Sequence, residues 1–338
     1  MQIPWTTIGK RILAVIPILL GVTFLVVLAT DLIPGSPAES LSSKGAFSPE
    51  QIAEIEARLG WDDPLIVRYV RYVGNVFLRF DFGESFFDNR PVGQALIEKV
   101  PATAELTLAA MAIALVLGVT IGIIAALRPF TAIDTASMVI ALCGVSFPVF
   151  WLGLILQITF FPSIQRMPLG VDTTEFHWTG FYLIDTLVYG NPGDFGLAVK
   201  HLILPASALA TIPLAIIARM TRASMMEVLS KDYIRTAKAK GLAGRVVVIK
   251  HALRNALIPV VTVAGLQLAS LLGGAVLTET VFEWPGLGQY IYVAATKKDL
   301  PALQGSVLFV AMIFTMINLA VDLSYSLIDP RIRREGER

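Results

Sequence analysis

Six runs of the chain are apolar with few interruptions: residues 12–32, 104–127, 136–161, 202–219, 257–278 and 303–327. A hydrocarbon layer about 30 Å thick is crossed by about 20 helical residues, so each run is predicted to span a membrane. Between the runs the pattern changes. FSPEQIAEIEARLG offers Ser48 as N-cap, Pro49 at the first helical position, Gln51 three residues after the cap and Gly60 as the stop, which predicts a short helix. In LIVRYVRYVGNVF, Leu65, Tyr69, Tyr72, Val73 and Val76 share one helical face, and Arg68 and Arg71 lie on another. Such a helix lies along a membrane surface or over the ends of the spans, and the second is the simpler expectation. The connection 162–201 is rich in Gly, Pro and aromatic residues and is expected to be an irregular lid or docking surface.

The connection before the fifth run is different in kind. From Met225 to Lys240, apolar Met226, Leu229, Tyr233 and Ala237 recur at helical spacing, while Glu227, Lys231, Arg235 and Lys238 lie opposite, with Glu227 and Lys231 in the favourable i,i+4 order. Gly241 is expected to stop this amphipathic helix, GLAG to turn the chain, and RVVVIKHAL to resume a helix with Val246, Ile249 and Leu253 on a second apolar face.

Composition agrees with a membrane protein. Hydrophobic residues make up 55% of 338 and charged residues 16%, and mean hydropathy is +0.69. An ordinary globular enzyme carries about a quarter charged residues. The formal net charge is only +1, so charge matters locally. Between Arg219 and Arg254 nine bases stand against Glu227 and Asp232, an excess of +7, which puts that segment on the cytoplasmic side. The N-terminus (Lys10, Arg11), the link at Arg128 and the tail DPRIRREGER then also lie inside, as six spans require. Outside fall 34–103, 162–201 and 279–302. The first run is longer than a signal-peptide core and lacks a clean cleavage site, so it is expected to be retained as a span. Cys143 is alone and forms no internal disulfide; it is expected to be a small packing residue.

A basic, amphipathic segment on the cytoplasmic side can anchor to anionic lipid, at about 1 kcal/mol per basic residue. An anchor needs no fixed glycine turn, whereas two helices joined by one make a rigid knob suited to a groove on a partner.

The same residues resemble the inner-membrane permease subunits of binding-protein-dependent ABC importers, in the dipeptide/oligopeptide/nickel branch. The family's cytoplasmic signature, the EAA loop, reads E-A-A, three residues, G, nine residues, then I-x-L-P. Here Arg235, Thr236 and Ala237 stand in the E-A-A places, Gly241 is the glycine, and His251, Leu253 and Arg254 take the I, L and P places, so that only Ala237, Gly241 and Leu253 match the generic motif. The peptide branch is resembled along the whole chain: LIPGSPA, FGESF followed by RPV, KVPATAELTLAA, SFPVFWLGL, HLILPA, YIRTAKAKGL, FEWPGLGQ and VDLSYSLIDPRIR.

The resemblance implies an all-α membrane protein with six transmembrane helices of the type I importer kind, cytoplasmic coupling helices and a helical first outer loop. It divides into residues 1–33 (N-terminus and first span), 34–103 (outer loop) and 104–338 (permease core), with 223–254 as the coupling segment. It further implies a permease in the bacterial or archaeal plasma membrane, with both termini cytoplasmic. Its partners would be a second permease chain, different in sequence, two ATPase subunits and an extracytoplasmic binding protein. Tyr233, Arg235, Thr236, Ala237, Lys240, Gly241, His251, Leu253 and Arg254 would form the ATPase-coupling element. ATP and Mg would bind the partner ATPases, with no cofactor on this chain.

The sequence contains no G-x-x-x-x-G-K-[ST] phosphate loop, so a nucleotide must bind elsewhere. His177, His201 and His251 have no metal-ligand spacing, and no nucleophile–base set points to a hydrolase. The alternative is a self-contained ion-coupled carrier, which would place carboxylates at the midplane. Asp31, Glu105, Asp134 and Glu279 fall near span ends, and only Asp322, beside Asn318, lies well inside a run, where a structural role is expected. Gly118, Gly122 and Ala126, and Gly265, Ala269 and Gly273, make small-residue faces for close helix approach; the second set is placed against a sister permease. Nothing in the chain chooses among dipeptide, oligopeptide, nickel chelate or sugar.

Overall fold

The computed structural model describes residues 5–32, 48, 50–51, 57, 60, 63–160, 179–188 and 192–328. Among them the regular structure is helical, apart from an isolated bridge between Glu84 and Pro91. The helices are α1 (Trp5–Asp31), α2 (Leu65–Arg79), α3 (Val92–Leu127), α4 (Ala132–Ser146), α5 (Val149–Phe160), α6 (Tyr182–Val188), α7 (Pro192–Leu229), α8 (Asp232–Ala239), α9 (Arg254–Phe282), α10 (Leu287–Thr296) and α11 (Leu300–Ile328). A single turn, Gly244–Val246, and a π-helical stretch, Val247–Leu253, lead into α9.

Five helices are long and apolar enough to cross a membrane, and six spans result if α4 and α5 are taken together. That pair corrects the expected single span 136–161, because its two halves are bent by 101°. The cause lies in SFP. Pro148 has no N–H to donate and its ring crowds the residue before it, driving Phe147 to an extended conformation (φ −99°, ψ 138°). The largest overruns of the apolar runs are in two other spans: α3 starts at Val92 rather than 104, and α7 continues through Arg219 and Arg222 to Leu229.

The chain divides into two compact units, one of residues 1–103 with 285–319 and one of 104–284 with 320–338. In the first, Val76 of α2, Phe82, Val92 and Leu96 of α3, Leu287 and Ala294 of α10, and Leu308 of α11 form a buried cluster. Ser85 joins this fold covalently distant parts: its hydroxyl donates to Asp299 (2.6 Å) and accepts the N–H groups of Phe87 and Asp88. The capping box expected of Ser48 and Gln51 is present, each backbone N–H donating to the other's side chain, and Gly60 holds φ +61°. The intervening residues 52–56 lie outside the described set.

In the second unit small residues set the helix spacing. A Cβ on Gly122 would stand 2.5 Å from the Cβ of Thr221 and 2.7 Å from the carbonyl oxygen of Ala218, so α3 and α7 meet backbone to side chain there. Gly118 meets Leu214 and Ile217 in the same way. Of the second small-residue face, expected against a sister chain, Gly265 and Ala269 are packed within this chain. Gly265 packs on Val321 of this chain's own last helix, and Ala269 is 1% exposed within the single chain. Cys143, expected to pack, is exposed.

Candidate coupling site

α7 ends at Leu229 because the backbone turns out of the helix at Lys231 (φ −71°, ψ 151°), with the Ser230 hydroxyl donating to the Glu227 carbonyl (2.7 Å). The amphipathic helix expected from Met225 to Lys240 is therefore two helices. α8 restarts at Asp232, whose carboxylate suits the positive end of the helix dipole. The Glu227–Lys231 pair forms across the break at 3.0 Å, between exposed side chains, and so contributes little to stability.

α8 closes on Gly241. The N–H of Gly241 donates to Lys238 (3.0 Å) and that of Leu242 to Ala237 (3.4 Å), a Schellman pair that satisfies the last carbonyls of the helix. Such a cap needs a left-handed residue, and Gly241 has φ +73°.

From this turn the chain returns through Gly244 and the π-helical stretch to α9. The inner side of the two arms is packed: Ile234, Ala237, Val247, Ala252 and Ala256 are buried with Ala126 of α3 and Met225 of α7, and Leu253 lies against them. Asn255 donates from Nδ2 to the Tyr233 hydroxyl (2.9 Å), tying one arm to the other.

The outer side carries the bases. Arg235, Lys238, Lys240, Arg245, Lys250 and Arg254 are all exposed. Among them stand apolar side chains left uncovered: Tyr233, Leu242, Val246 and Ile249, the last 52% exposed. Of the nine residues expected to couple to an ATPase, Tyr233, Arg235, Thr236, Lys240 and Arg254 present themselves outward. Ala237 and Leu253 face the chain's own core, His251 is half-buried, and Gly241 shapes the turn. The apolar seam expected to enter a partner is thus split. On α8 Ala237 is used internally while Tyr233 is exposed, and on the second arm Leu253 packs inward while Val246 and Ile249 remain uncovered.

Two residues that the sequence reading named without pairing hold the site's foundations. Arg222 grips Asp134 with two hydrogen bonds (Nε to Oδ1, 2.5 Å; Nη2 to Oδ2, 2.6 Å), and Asp134 also accepts the N–H of Phe130 (2.9 Å). This arrangement fixes the α3–α4 link against α7, so Arg222 is committed within the chain rather than to a lipid surface. The signal was an acid just before one apolar run and a base about one turn beyond the end of another.

The same unit contains a second polar anchor. Glu105 of α3, 6% exposed, accepts the N–H groups of Tyr182 (2.9 Å) and Leu183 (2.7 Å) at the start of α6. Asp185 accepts from Thr179 and Gly180, and the Tyr182 ring meets Trp284 edge-on at 5.5 Å. Burial first, and then the nearby Glu105, push the Tyr182 phenol up to about 12, so it stays neutral across the physiological range. The end of the irregular loop is thereby an ordered, hydrogen-bonded segment at 179–188; His177 and the rest of 161–178 lie outside the described residues.

Comparison with known proteins places this geometry. Residues 118–334 match the model of the binding-protein-dependent transport system inner membrane component, and residues 6–107 match its N-terminal companion. The dipeptide transport system permease protein of Alkalihalophilus pseudofirmus is 48% identical over 96% of this chain and 98% of its own length. The di/tripeptide transport system permease protein of Pseudomonas aeruginosa is 46% identical over 97% and 98%. The dipeptide transport system permease protein of Escherichia coli is 43% identical over 96% and 98%. With two family models covering most of the sequence and relatives matched almost end to end, this chain belongs to the family of inner-membrane permease components of binding-protein-dependent transport systems.

Proposed function

We propose that this permease carries short peptides, of two or three residues, inward across the membrane, and that the work comes from ATPase subunits which grip the two-armed element 232–253. An extracytoplasmic binding protein delivers the peptide. A second permease chain of different sequence completes the path, and two ATPase subunits lie beneath. The two-armed element and both termini are cytoplasmic. Support for the cargo comes from relatives named for dipeptide and di/tripeptide transport at 43–48% identity.

The observation that carries the coupling role is the division of the element into a packed inside and an unoccupied outside. Ile234, Ala237, Val247 and Ala252 clamp both arms to α3 and α7, so force applied to the outer side is transmitted to the spans without bending the joint. The outer side offers uncovered Tyr233, Leu242, Val246 and Ile249 ringed by six exposed bases, which suits an acidic-rimmed apolar groove. ATP and its Mg would sit on the ATPase, and this chain's part is mechanical.

Cells in which the proton gradient is collapsed while ATP is maintained test the energy source. Uptake of a labelled dipeptide is expected to continue at close to the starting rate. Loss of uptake under those conditions would instead favour an ion-coupled carrier.

A further inference from the structure

Helix α2 has two apolar faces, and the fold uses one. Tyr72 and Val76 enter the buried cluster of the first unit. Tyr69 donates its hydroxyl to the Leu20 carbonyl of α1 (3.1 Å) and meets the Phe24 ring edge-on at 5.5 Å, while Arg68 pairs with Asp31 at 2.9 Å. On the far side Ile66, Val67 and Val70 are 60%, 45% and 61% exposed. For a helix outside the membrane, three branched aliphatic side chains in a row in water would be a costly surface.

Its depth argues otherwise. The partners on α1 run from Asp31 down to Leu20, about 16 Å along a helix rising 1.5 Å per residue, within the apolar span Leu13–Asp31. A second span reports the same depth. Val76 of α2 packs in one cluster with Leu308, about 12 Å along α11 from Leu300 at a rise of 1.5 Å per residue, and Leu300–Val321 is itself an apolar span. Half a hydrocarbon core is about 15 Å. Leu25 of α1 and Leu32 just past its end, two turns apart, are likewise exposed large apolar side chains.

We propose that α2 is seated inside the bilayer, in the leaflet at the Asp31 end of α1, with Ile66, Val67 and Val70 covered by acyl chains. Arg68 and Arg71, paired with Asp31 and Asp63, mark the polar edge of that seat. The helix is then a lipid-held strut that keeps α1 docked on its unit, rather than a cover resting above the spans.

The test is nitroxide accessibility in the assembled importer in phospholipid nanodiscs. Single cysteines replace Ile66, Val67 and Val70 in turn, with Cys143→Ala as background and Arg79→Cys on the polar side as reference. Labelled importers must retain dipeptide uptake, and three positions guard against any one failing to assemble. The ratio of oxygen to nickel-chelate collisions at 66, 67 and 70 is expected to exceed that at 79 by about fivefold. Preferential nickel-chelate access would put the face in water, and shielding from both reagents would mean that protein covers it. Either result overturns the proposal.

Discussion

Replacing Gly241 by valine is expected to lower peptide uptake by more than about tenfold while the protein stays in the membrane and its ATPase partners continue to turn over within about twofold of normal. The reason is conformational. A Cβ at Gly241 would meet nothing within 4 Å, so crowding plays no part, and the cost falls on the backbone at φ +73°. An ordinary L-residue in that region costs roughly 1–2 kcal/mol, and a β-branched one more. Phe80, Glu283 and Lys298 hold φ of 54°, 51° and 55° in this chain, which shows that unbranched side chains are tolerated at left-handed positions when the surrounding fold supports them. Valine would be expected to open the Schellman cap, release Leu242, and swing Val246 and Ile249 away from the bases of α8. Asparagine, which adopts the left-handed region readily, should keep uptake within about threefold of wild type. Uptake, ATP hydrolysis in proteoliposomes and the amount of protein in the membrane separate the outcomes. If asparagine were as damaging as valine, the backbone explanation would be wrong.

The second large effect concerns the amount of protein. Arg222→Ala removes both guanidinium donors to Asp134, which is buried in the first turn of α4 and keeps only the Phe130 N–H. An acid left unpaired in an apolar setting is more damaging than the absence of the pair. Steady-state protein in the membrane should fall to about a fifth or less in Arg222→Ala. The double variant Asp134→Asn with Arg222→Gln, neutral on both sides and still able to accept from Phe130, should recover at least half of the wild-type amount by the same logic. Quantitative blotting and the thermal midpoint of the detergent-solubilised protein measure both. A double variant no better than Arg222→Ala would show that the charge left behind is not the cause.

Much of this architecture was legible in the residue pattern because a membrane imposes length and polarity together. The six apolar runs, the helix at Leu65–Val76 and the Ser48–Gln51 capping pair rest on spacing and capping residues, which act locally. The break at Pro148 was written in SFP, yet a count of apolar residues passes straight over it, since phenylalanine, proline and valine are all compatible with hydrocarbon. The stop at Ser230 was hidden for a similar reason: serine and lysine continue an amphipathic pattern as well as they interrupt it. At the coupling site, periodicity found the two arms and the glycine between them but not which side would face inward. Ile234 and Val247 are buried because Ala126 comes to them from a helix distant in sequence and Met225 from the helix just before. The pairing of Glu105 was beyond reach, the N–H groups that donate to it being 77 and 78 residues away. The Gly265 face shows the limit in the other direction, since a small-residue stripe says that something packs closely without saying what.

The gripping of the two-armed element by an ATPase is tested most directly by a photo-activated cross-linker placed at Ile249 in the assembled importer. Ile249 is uncovered in the single chain and carries none of the internal packing. The expected result is a covalent adduct with an ATPase subunit, its yield changing between nucleotide-free and ATP-bound states, and no such adduct from a probe at Leu25, an exposed position of α1. Adducts with phospholipid alone, or none, in an importer that still takes up peptide would contradict the account.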